Sequence, residues 1–350
     1  MSEAIAEAHP NVALSKYWGK RPGGGNYPAV PSLSVTLAGL TTRTRVRFDE
    51  SLVEDCLCLH PDGALENAED RAERAAGKET VGEPRRRVVE LLDRVRHAAG
   101  ERRRAEIQSQ NDFPTASGLA SSASGFAALA LAAVRAAGLD WDATRVSDLA
   151  RRSSASAARS LFGGFVELPA AAEAPSVDCV LAAEPLAPCS HLPLAIIVGV
   201  TTAGHKSIGS TEGMRRTLDQ SPYARAWLRE APRLHRRLRE ALLAGDFQTV
   251  GELSEASALA MHASAIAAGV MYWNGGTLEA LKTVAALRRS GTLAYATIDA
   301  GPHVKVLTRP DDSAVVGAAL KTTRGVMRVI EAFPGEGARL AAAGDREVAS

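Results

Sequence analysis

The stretch that decides the fold is "NDFPTASGLASSASGFAALALAAV", residues 111–134. Beyond Asp112 it carries no charge until Arg135, and its first part is almost entirely Ser, Thr, Ala and Gly before it turns into a small-residue helix. Small side chains let a ligand approach the backbone. The free N–H groups and the dipole at a helix start favour an anion there, above all a phosphate, and the hydroxyls of Ser117, Ser121 and Ser122 add donors or a metal contact. A tightly packed, serine-rich helix start is the other use of such a cluster. GK[ST] and GxGxxG are both absent, so this is neither a Walker loop nor a dinucleotide fingerprint.

Upstream, the first 110 residues are rich in strand signals: "SLSVTL" (32–37), the alternating "TRTRVRF" (42–48), "DCLCLH" (55–60) and "AEIQSQ" (105–110). One helix stands among them, with Val88, Leu91, Leu92 and Val95 at i, i+3, i+4 and i+7. Residues 62–82 are charged and aperiodic, an exposed excursion. Downstream follow a short helix near 142–152 and "SLFGGFVEL", whose glycine pair predicts a bend or a close backbone approach. A second half begins near the apolar strand "LPLAIIVGV" (192–200). It continues through helical patterns at 222–268 and 277–289, a strand ending at Asp299, a strand beyond the Gly-Pro turn and a helix near 316–331. Strands first and helices in later blocks predict an α+β fold. The division expected is an N-terminal unit over 1–190, a C-terminal unit over 191–335 and a loosely held tail over 336–350.

Composition excludes several function classes. Among 350 residues, 41 Lys and Arg face 40 Asp and Glu, a net charge of +1 with no global pull toward nucleic acid or anionic membrane. An anionic ligand must therefore be held by a local cluster. Cys56, Cys58, Cys179 and Cys189 lack CxxC spacing and neighbouring histidines, which suggests reduced packing residues. The N-terminus has no basic region followed by an apolar one, and no 18-residue apolar run occurs. A cytoplasmic protein without membrane partners is expected.

Near the N-terminus, "NVALSKYWGKR" (11–21) sets Lys16, Lys20 and Arg21 around Tyr17 and Trp18. On a strand, Lys16 and Lys20 would share a face. Asp299 ends the apolar strand in "AYATIDAGPHVKV" (294–306), where a carboxylate serves either as a base or as a cap on the turn.

These stretches carry a resemblance. "PTASGLASSAS" resembles the P-x-x-x-G-L-x-S-S-A phosphate loop of the galactokinase, homoserine kinase, mevalonate kinase and phosphomevalonate kinase superfamily. The basic aromatic run resembles the K-Y-W-G-K-R signature of the diphosphomevalonate decarboxylase family, and "SASAARSLFGGFVE" (154–167), "STEGM" (210–214) and "IDAGPHVKVL" (298–307) agree in that family's order.

The resemblance implies a superfamily-type fold with an N-terminal half like the second domain of ribosomal protein S5, a C-terminal α/β sandwich half and a deep cleft between them. It implies ATP and Mg2+ as cofactors, a phosphorylated mevalonate as substrate, decarboxylation to isopentenyl diphosphate, and a homodimer. By the same resemblance Asp299 is the base, Lys16 lies against it and Arg159 binds the substrate carboxylate. Tyr17, Lys20, Arg85, Ser156, Ser210 and Met214 contact substrate. Pro114, Ser117, Gly118, Leu119, Ser121, Ser122 and Lys206 contact ATP, with Ser121 and Ser122 toward the metal. Relatives acting on the monophosphate, or phosphorylating the 3-hydroxyl without decarboxylation, share much of this pattern. The sequence departs from the family at "GVMYWNGG" (269–276), where a more proline-rich and polar stretch is expected, and in a short "NYPAVPS".

Overall fold

The computed structural model describes residues 3–60, 83–113, 121–173, 175–176, 179–202, 204 and 208–341. In the N-terminal half, strands β1 (Glu3–Ala8), β2 (Asn11–Ser15), β3 (Ser32–Thr36), β4 (Thr42–Asp49) and β5 (Cys56–His60) precede helix α1 (Glu83–Ala99) and strand β6 (Arg104–Asn111). Helices α2 (Ser121–Ala136) and α3 (Ala143–Ser153) follow, then a 3-10 segment, Ala155–Leu161, and strands β7 (Phe165–Leu168) and β8 (Glu184–Ala187). In the C-terminal half, β9 (Ala195–Val200) leads to helices α4 (Ser210–Gln220), α5 (Ala224–Leu243), α6 (Phe247–Ile266) and α7 (Gly275–Arg289). Strands β10 (Ala294–Ile298) and β11 (Val304–Thr308), helix α8 (Ser313–Lys321) and strands β12 (Arg328–Ala332) and β13 (Arg339–Ala341) complete it.

Three sheets organise these elements: β13-β1-β4-β6-β5, β2-β3-β7-β8 and β10-β11-β9-β12. The alternation of "TRTRVRF" is realised in β4, whose residues are buried and partly buried in turn. α2 sits on β1 and β4 through alanines with no exposed surface, among them Ala127, Ala130 and Ala133. Small side chains bring its axis close to the sheet, and Val88, Leu91, Leu92 and Val95 of α1 close the same core. A second core layer runs from Val12, Leu14, Leu33 and Val35 to Ile196, Leu238, Val250 and Leu307, and so joins the two halves.

The glycine pair makes the expected close approach. A Cβ on Gly163 would lie 2.7 Å from the Gly337 amide nitrogen, and one on Gly164, at φ +67°, would meet the backbone at 187–189.

The structure corrects four expectations. The pattern over 222–268 is two helices, because Gly245 at φ +70° ends α5 and Asp246 caps α6 through the Thr249 amide. The expected helix near 316–331 stops at Lys321; Gly325, at φ +83°, turns the chain into β12, which pairs with β9. The tail is not loose up to Ala341, since Arg339–Ala341 pairs with β1. Lys16 and Lys20 do not share a strand face: β2 ends at Ser15 with a register shift between Ala13 and Ser15. The excursion 62–82, except for its neighbour α1, lies outside the described residues, as do residues 342–350.

Candidate active site

β10 runs out at Ile298 and the chain turns at once, with the Gly301 amide donating to the Asp299 carbonyl at 2.7 Å. Backbone closes the turn, so the carboxylate is not its cap. It faces two lysines instead. Lys16 Nζ donates to Asp299 Oδ1 at 2.7 Å, and Lys305 Nζ lies 3.1 Å from Oδ2. Both lysine side chains are 2% exposed while the aspartate is 27% exposed, so the carboxylate is the accessible member of the triplet.

The irregular end of β2 is what aims Lys16. Past the register shift its amide donates to Ser257 Oγ of α6 at 3.0 Å, and its Nζ also donates to the Ala13 carbonyl at 2.8 Å. Thr297 of β10 reaches the same carbonyl at 3.2 Å, tying β2 to β10 where the halves meet. Burial pulls Lys16 down to about 8 against the opposing pull of Asp299. For Asp299 burial works upward, but the ammoniums of Lys16 and Lys305 outweigh it and hold the carboxyl below the usual range.

Arg159, in the 3-10 segment after α3, is buried among neutral groups. Its Nε donates to Ser34 Oγ at 2.9 Å, Nη1 to Ser32 Oγ at 2.7 Å and Nη2 to Asn11 Oδ1 at 3.3 Å. Among the described residues no carboxylate is bonded to it. Burial lowers its guanidinium to about 10, which leaves it charged at neutral pH. Asn11 in turn donates to the Ser156 carbonyl at 3.0 Å and to Ser160 Oγ at 2.8 Å, fixing the segment on β2. Asn11 and Ala13 are two residues apart on β2, so one strand anchors both Arg159 and the Lys16–Asp299 pair, and the Asp299 charge acts on the Arg159 guanidinium. Ser156 Oγ lies 3.2 Å from Ser154 Oγ.

The remaining expected contacts gather on the α4 side. The Tyr17 hydroxyl is buried with no partner among the described residues, and burial raises its phenol. Lys20 Nζ donates to Thr211 Oγ1 at 2.8 Å, in the first turn of the helix that Ser210 opens. Met214 packs with Trp18, Trp227 and Tyr272 in one apolar cluster. A Cβ on Gly213 would come within 3.0 Å of the Trp18 ring, so "KYWG" and "STEGM" are two sides of one packed contact. The divergent "GVMYWNGG" lines the same wall: Tyr272 meets Trp18 edge-on at 5.9 Å, Trp273 lies 5.0 Å from the His262 ring, and Asn274 caps α7.

Arg85 is not brought to this group. α1 carries it to the sheet edge, where it donates to Glu54 Oε2 at 2.7 Å and to the Asp55 carbonyl at 3.1 Å. Arg87, two positions on, turns the other way and donates through Nε to the Ser153 carbonyl at 2.8 Å. Ser121 and Ser122 stand at the start of α2, whose first turn has no acidic residue to neutralise its positive end. Pro114, Ser117, Gly118, Leu119 and Lys206 lie outside the described residues.

Sequence reasoning missed Lys305, Asn11 and the Ser32–Ser34 pair. Lys305 had a signal in the quoted motif, a lone lysine in an otherwise apolar strand. The serines of "SLSVTL" had one too, since both fall on one face of β3.

Two family models match the chain. One is described as the diphosphomevalonate decarboxylase-like N-terminal domain, over residues 8–180, and the other as the mevalonate 5-diphosphate decarboxylase C-terminal domain, over residues 196–341. The diphosphomevalonate decarboxylase of Candida albicans is 32% identical over 327 residues, 87% of this chain and 84% of its own. The crystal structure of mevalonate diphosphate decarboxylase from Staphylococcus aureus superposes with a TM-score of 0.86 at 32% identity, covering 97% of this chain and 98% of that one. A structure described as MDDEF in complex with MVAPP, AMPPCP and magnesium gives a TM-score of 0.83 at 35% identity, with the same coverage. With both halves matched in order and the fold shared end to end, this chain belongs to the diphosphomevalonate decarboxylase family.

Proposed function

We propose that the chain catalyses the ATP-dependent decarboxylation of mevalonate 5-diphosphate to isopentenyl diphosphate, releasing ADP, phosphate and CO2. One observation carries this reading: a carboxylate held ionised by Lys16 stands near a buried guanidinium whose partners among the described residues are all neutral. The substrate is a tertiary alcohol with a carboxylate on the neighbouring carbon, and hydroxide is too poor a leaving group to depart unaided. Asp299 accepts the hydrogen bond of that hydroxyl, aims its oxygen at the γ-phosphate of ATP and takes its proton as the new O–P bond forms. Lys16 stabilises the charge on the oxygen. Arg159 grips the substrate carboxylate, where a planar fork meets two oxygens. Phosphate then departs with the C–O electrons, the C–C bond to the carboxylate supplies the electrons of the alkene, and CO2 leaves.

Tyr17, Lys20, Ser156 and Ser210, with Met214 behind them, form the wall for the diphosphate. Arg85 is held by Glu54 and the Asp55 carbonyl away from that wall, so Lys20→Ala raises the substrate KM more than Arg85→Ala does. Equal effects in steady-state kinetics would overturn this order.

On this reading ATP binds at the start of α2, with Lys206, Ser117, Gly118 and Leu119 as its further contacts. Among the described residues no three His, Cys, Asp or Glu side chains gather as a metal site. Mg2+ suits this donor set, because it keeps several waters and takes few protein ligands beside substrate phosphates. Ser121 and Ser122 would hold it, and it would neutralise phosphate charge.

We also read the protein as a cytoplasmic homodimer; among the described residues no helix is long and apolar enough to cross a membrane. Sedimentation velocity tests the dimer. The activity is tested by supplying ATP, Mg2+ and mevalonate with zero, one or two phosphates at its 5-position, and measuring CO2 and ADP together. Equal amounts of both from the diphosphate are expected, with near-total loss in Asp299→Asn. CO2 from the monophosphate alone, or ADP without CO2, would overturn the assignment.

A further inference from the structure

Lys305 is one lysine more than charge balance requires. Lys16 alone neutralises Asp299, yet a second buried ammonium stands on the other carboxylate oxygen. Its strand gives it no other reason to be charged. Val304 and Val306 point into the apolar layer with Ala280, Val284 and Val316, and Leu307, on the same face as Lys305, lies in the core that joins the halves. Burying an ammonium in such a layer is unfavourable unless a specific partner holds it. The partner is Asp299 Oδ2 at 3.1 Å.

Geometry explains what a second lysine adds. A carboxylate held at one oxygen can turn about its Cβ–Cγ bond, whereas one held at both has a fixed plane and fixed free lone pairs. β11 is well suited to set that plane, because Lys305 lies directly opposite Thr297, two residues before Asp299 on the paired strand. Thr297 is itself bonded to the Ala13 carbonyl that also receives Lys16.

Resting on the decarboxylase reading above, we infer that Lys305 is a positioning residue for the reaction: by holding Asp299 Oδ2 it fixes the carboxylate plane and keeps the carboxylate ionised, without touching substrate itself. Among the described residues, the charged and titratable groups around Asp299 are Lys16 and Tyr17 just beyond β2, Arg159 from the 3-10 segment, His262 from α6 and Lys305 from β11. His262, whose Nε2 lies 3.3 Å from the Ile298 carbonyl, is pushed down to about 4 by burial and so is neutral at working pH. Of the cations among the described residues, Lys16 and Lys305 are the two bonded to the carboxylate.

The experiment compares wild type with Lys305→Met, which keeps length and loses charge, and Lys305→Arg, which keeps charge, on the full chain with ATP, Mg2+ and mevalonate 5-diphosphate. The expected result for Lys305→Met is a fall in kcat of about 100-fold with KM for both substrates within about 3-fold, because the lost contact serves the reacting centre. Its kcat–pH profile should show an acid limb displaced upward by at least about one unit. Lys305→Arg should keep the wild-type limb while losing part of kcat. A second readout does not depend on turnover: the 13C carboxyl resonance of Asp299, assigned by its absence in Asp299→Asn, should titrate at higher pH in Lys305→Met than in wild type. Where Lys305→Met does not fold, Lys305→Gln takes its place in both measurements. A wild-type kcat and profile in the uncharged variants, a loss confined to KM, or an Asp299 resonance unmoved by the substitution would overturn the inference. Failure of the wild type to release CO2 would instead overturn the function, and the resonance would still decide whether Lys305 holds Asp299.

Discussion

Arg159 and Lys16 are both buried cations, but they differ in how firmly their charge is fixed, and this separates their expected behaviour. A guanidinium stays protonated at any working pH, so replacing Arg159 tests geometry. Arg159→Leu should lower turnover by about 100-fold or more, far beyond what a surface ion pair contributes, because the substrate carboxylate loses its fork. Arg159→Lys should recover only part of it. Parallel CO2 and ADP assays with a thermal melt for each variant check this, and near-wild-type CO2 release from folded Arg159→Leu would refute the role. Lys16 is different, since burial lowers it to about 8. Below that pH it is charged; above it the ammonium is lost, while Asp299, held below its usual range, stays ionised throughout. kcat/KM, which reports the free enzyme, should therefore fall on the alkaline side with a midpoint near 8, and Lys16→Arg should remove that limb. An unchanged alkaline limb in an active Lys16→Arg would assign it to another group. At this scale Lys16, Arg159 and Asp299 were legible because each sits in a quoted motif. Lys305 sits in a quoted motif too, and its lone charge in an apolar strand was a signal, but its partner was not legible, because only the tertiary fold brings it onto Asp299 Oδ2.

The element that positions the site is β2, and its irregularity has a visible support. At the register shift the Leu33 amide donates to Ser15 Oγ at 2.8 Å. Ser15 Oγ lies 2.9 Å from His235 Nδ1 of α5, His235 Nε2 lies 2.9 Å from Glu167 Oε1 of β7, and Arg239 Nε donates to the other Glu167 oxygen at 2.9 Å. One chain of side chains thus clamps β2 and β7 to α5, one residue before Lys16. His235→Phe keeps the volume but leaves Ser15 and Glu167 each short of a partner, which should cost about 1–3 kcal/mol. Since the loosened bulge also carries Lys16, kcat should fall with it. Urea unfolding and steady-state kinetics measure the two effects, and a variant unchanged in both would show that the bulge holds without the clamp. Periodicity found most elements because an apolar face repeats at 2 or 3.6 residues. It could not find the bulge, which depends on a histidine 220 residues away, nor β12, an edge strand whose weak alternation follows a helical run without a proline between them.

At the scale of the whole molecule, the chain's end returns to its beginning. The Ala38 amide donates to the Phe333 carbonyl at 2.7 Å, Gly335 and Thr36 pair at 2.8 Å, and the Gly164 amide donates to the Gly335 carbonyl at 2.8 Å, before β13 joins β1. The division near residue 190 therefore describes where sequence character changes, while the backbone of the C-terminal segment is built into the N-terminal half. Composition cannot show this, because a short polar strand with glycines reads as a tail. The strap also lies against the segment that carries Arg159: the Ala338 amide donates to the Leu161 carbonyl at 3.3 Å, and a Cβ on Gly337 would stand 2.7 Å from that carbonyl oxygen and 2.8 Å from the Gly163 amide nitrogen. Rigid backbone surrounds Gly337, so Gly337→Val must push the strap and the 3-10 segment apart. The expected outcome is a Tm lower by several degrees, the size of about 1–3 kcal/mol of overpacking, together with reduced turnover, although residue 337 touches no group of the site. Gly317→Ala is the control, since a Cβ on this glycine of α8 meets nothing within 4 Å and alanine favours a helix. It should leave activity intact and Tm unchanged or raised. Wild-type Tm and turnover in Gly337→Val would mean that the strap yields without moving Arg159, and that the site does not depend on the chain's return.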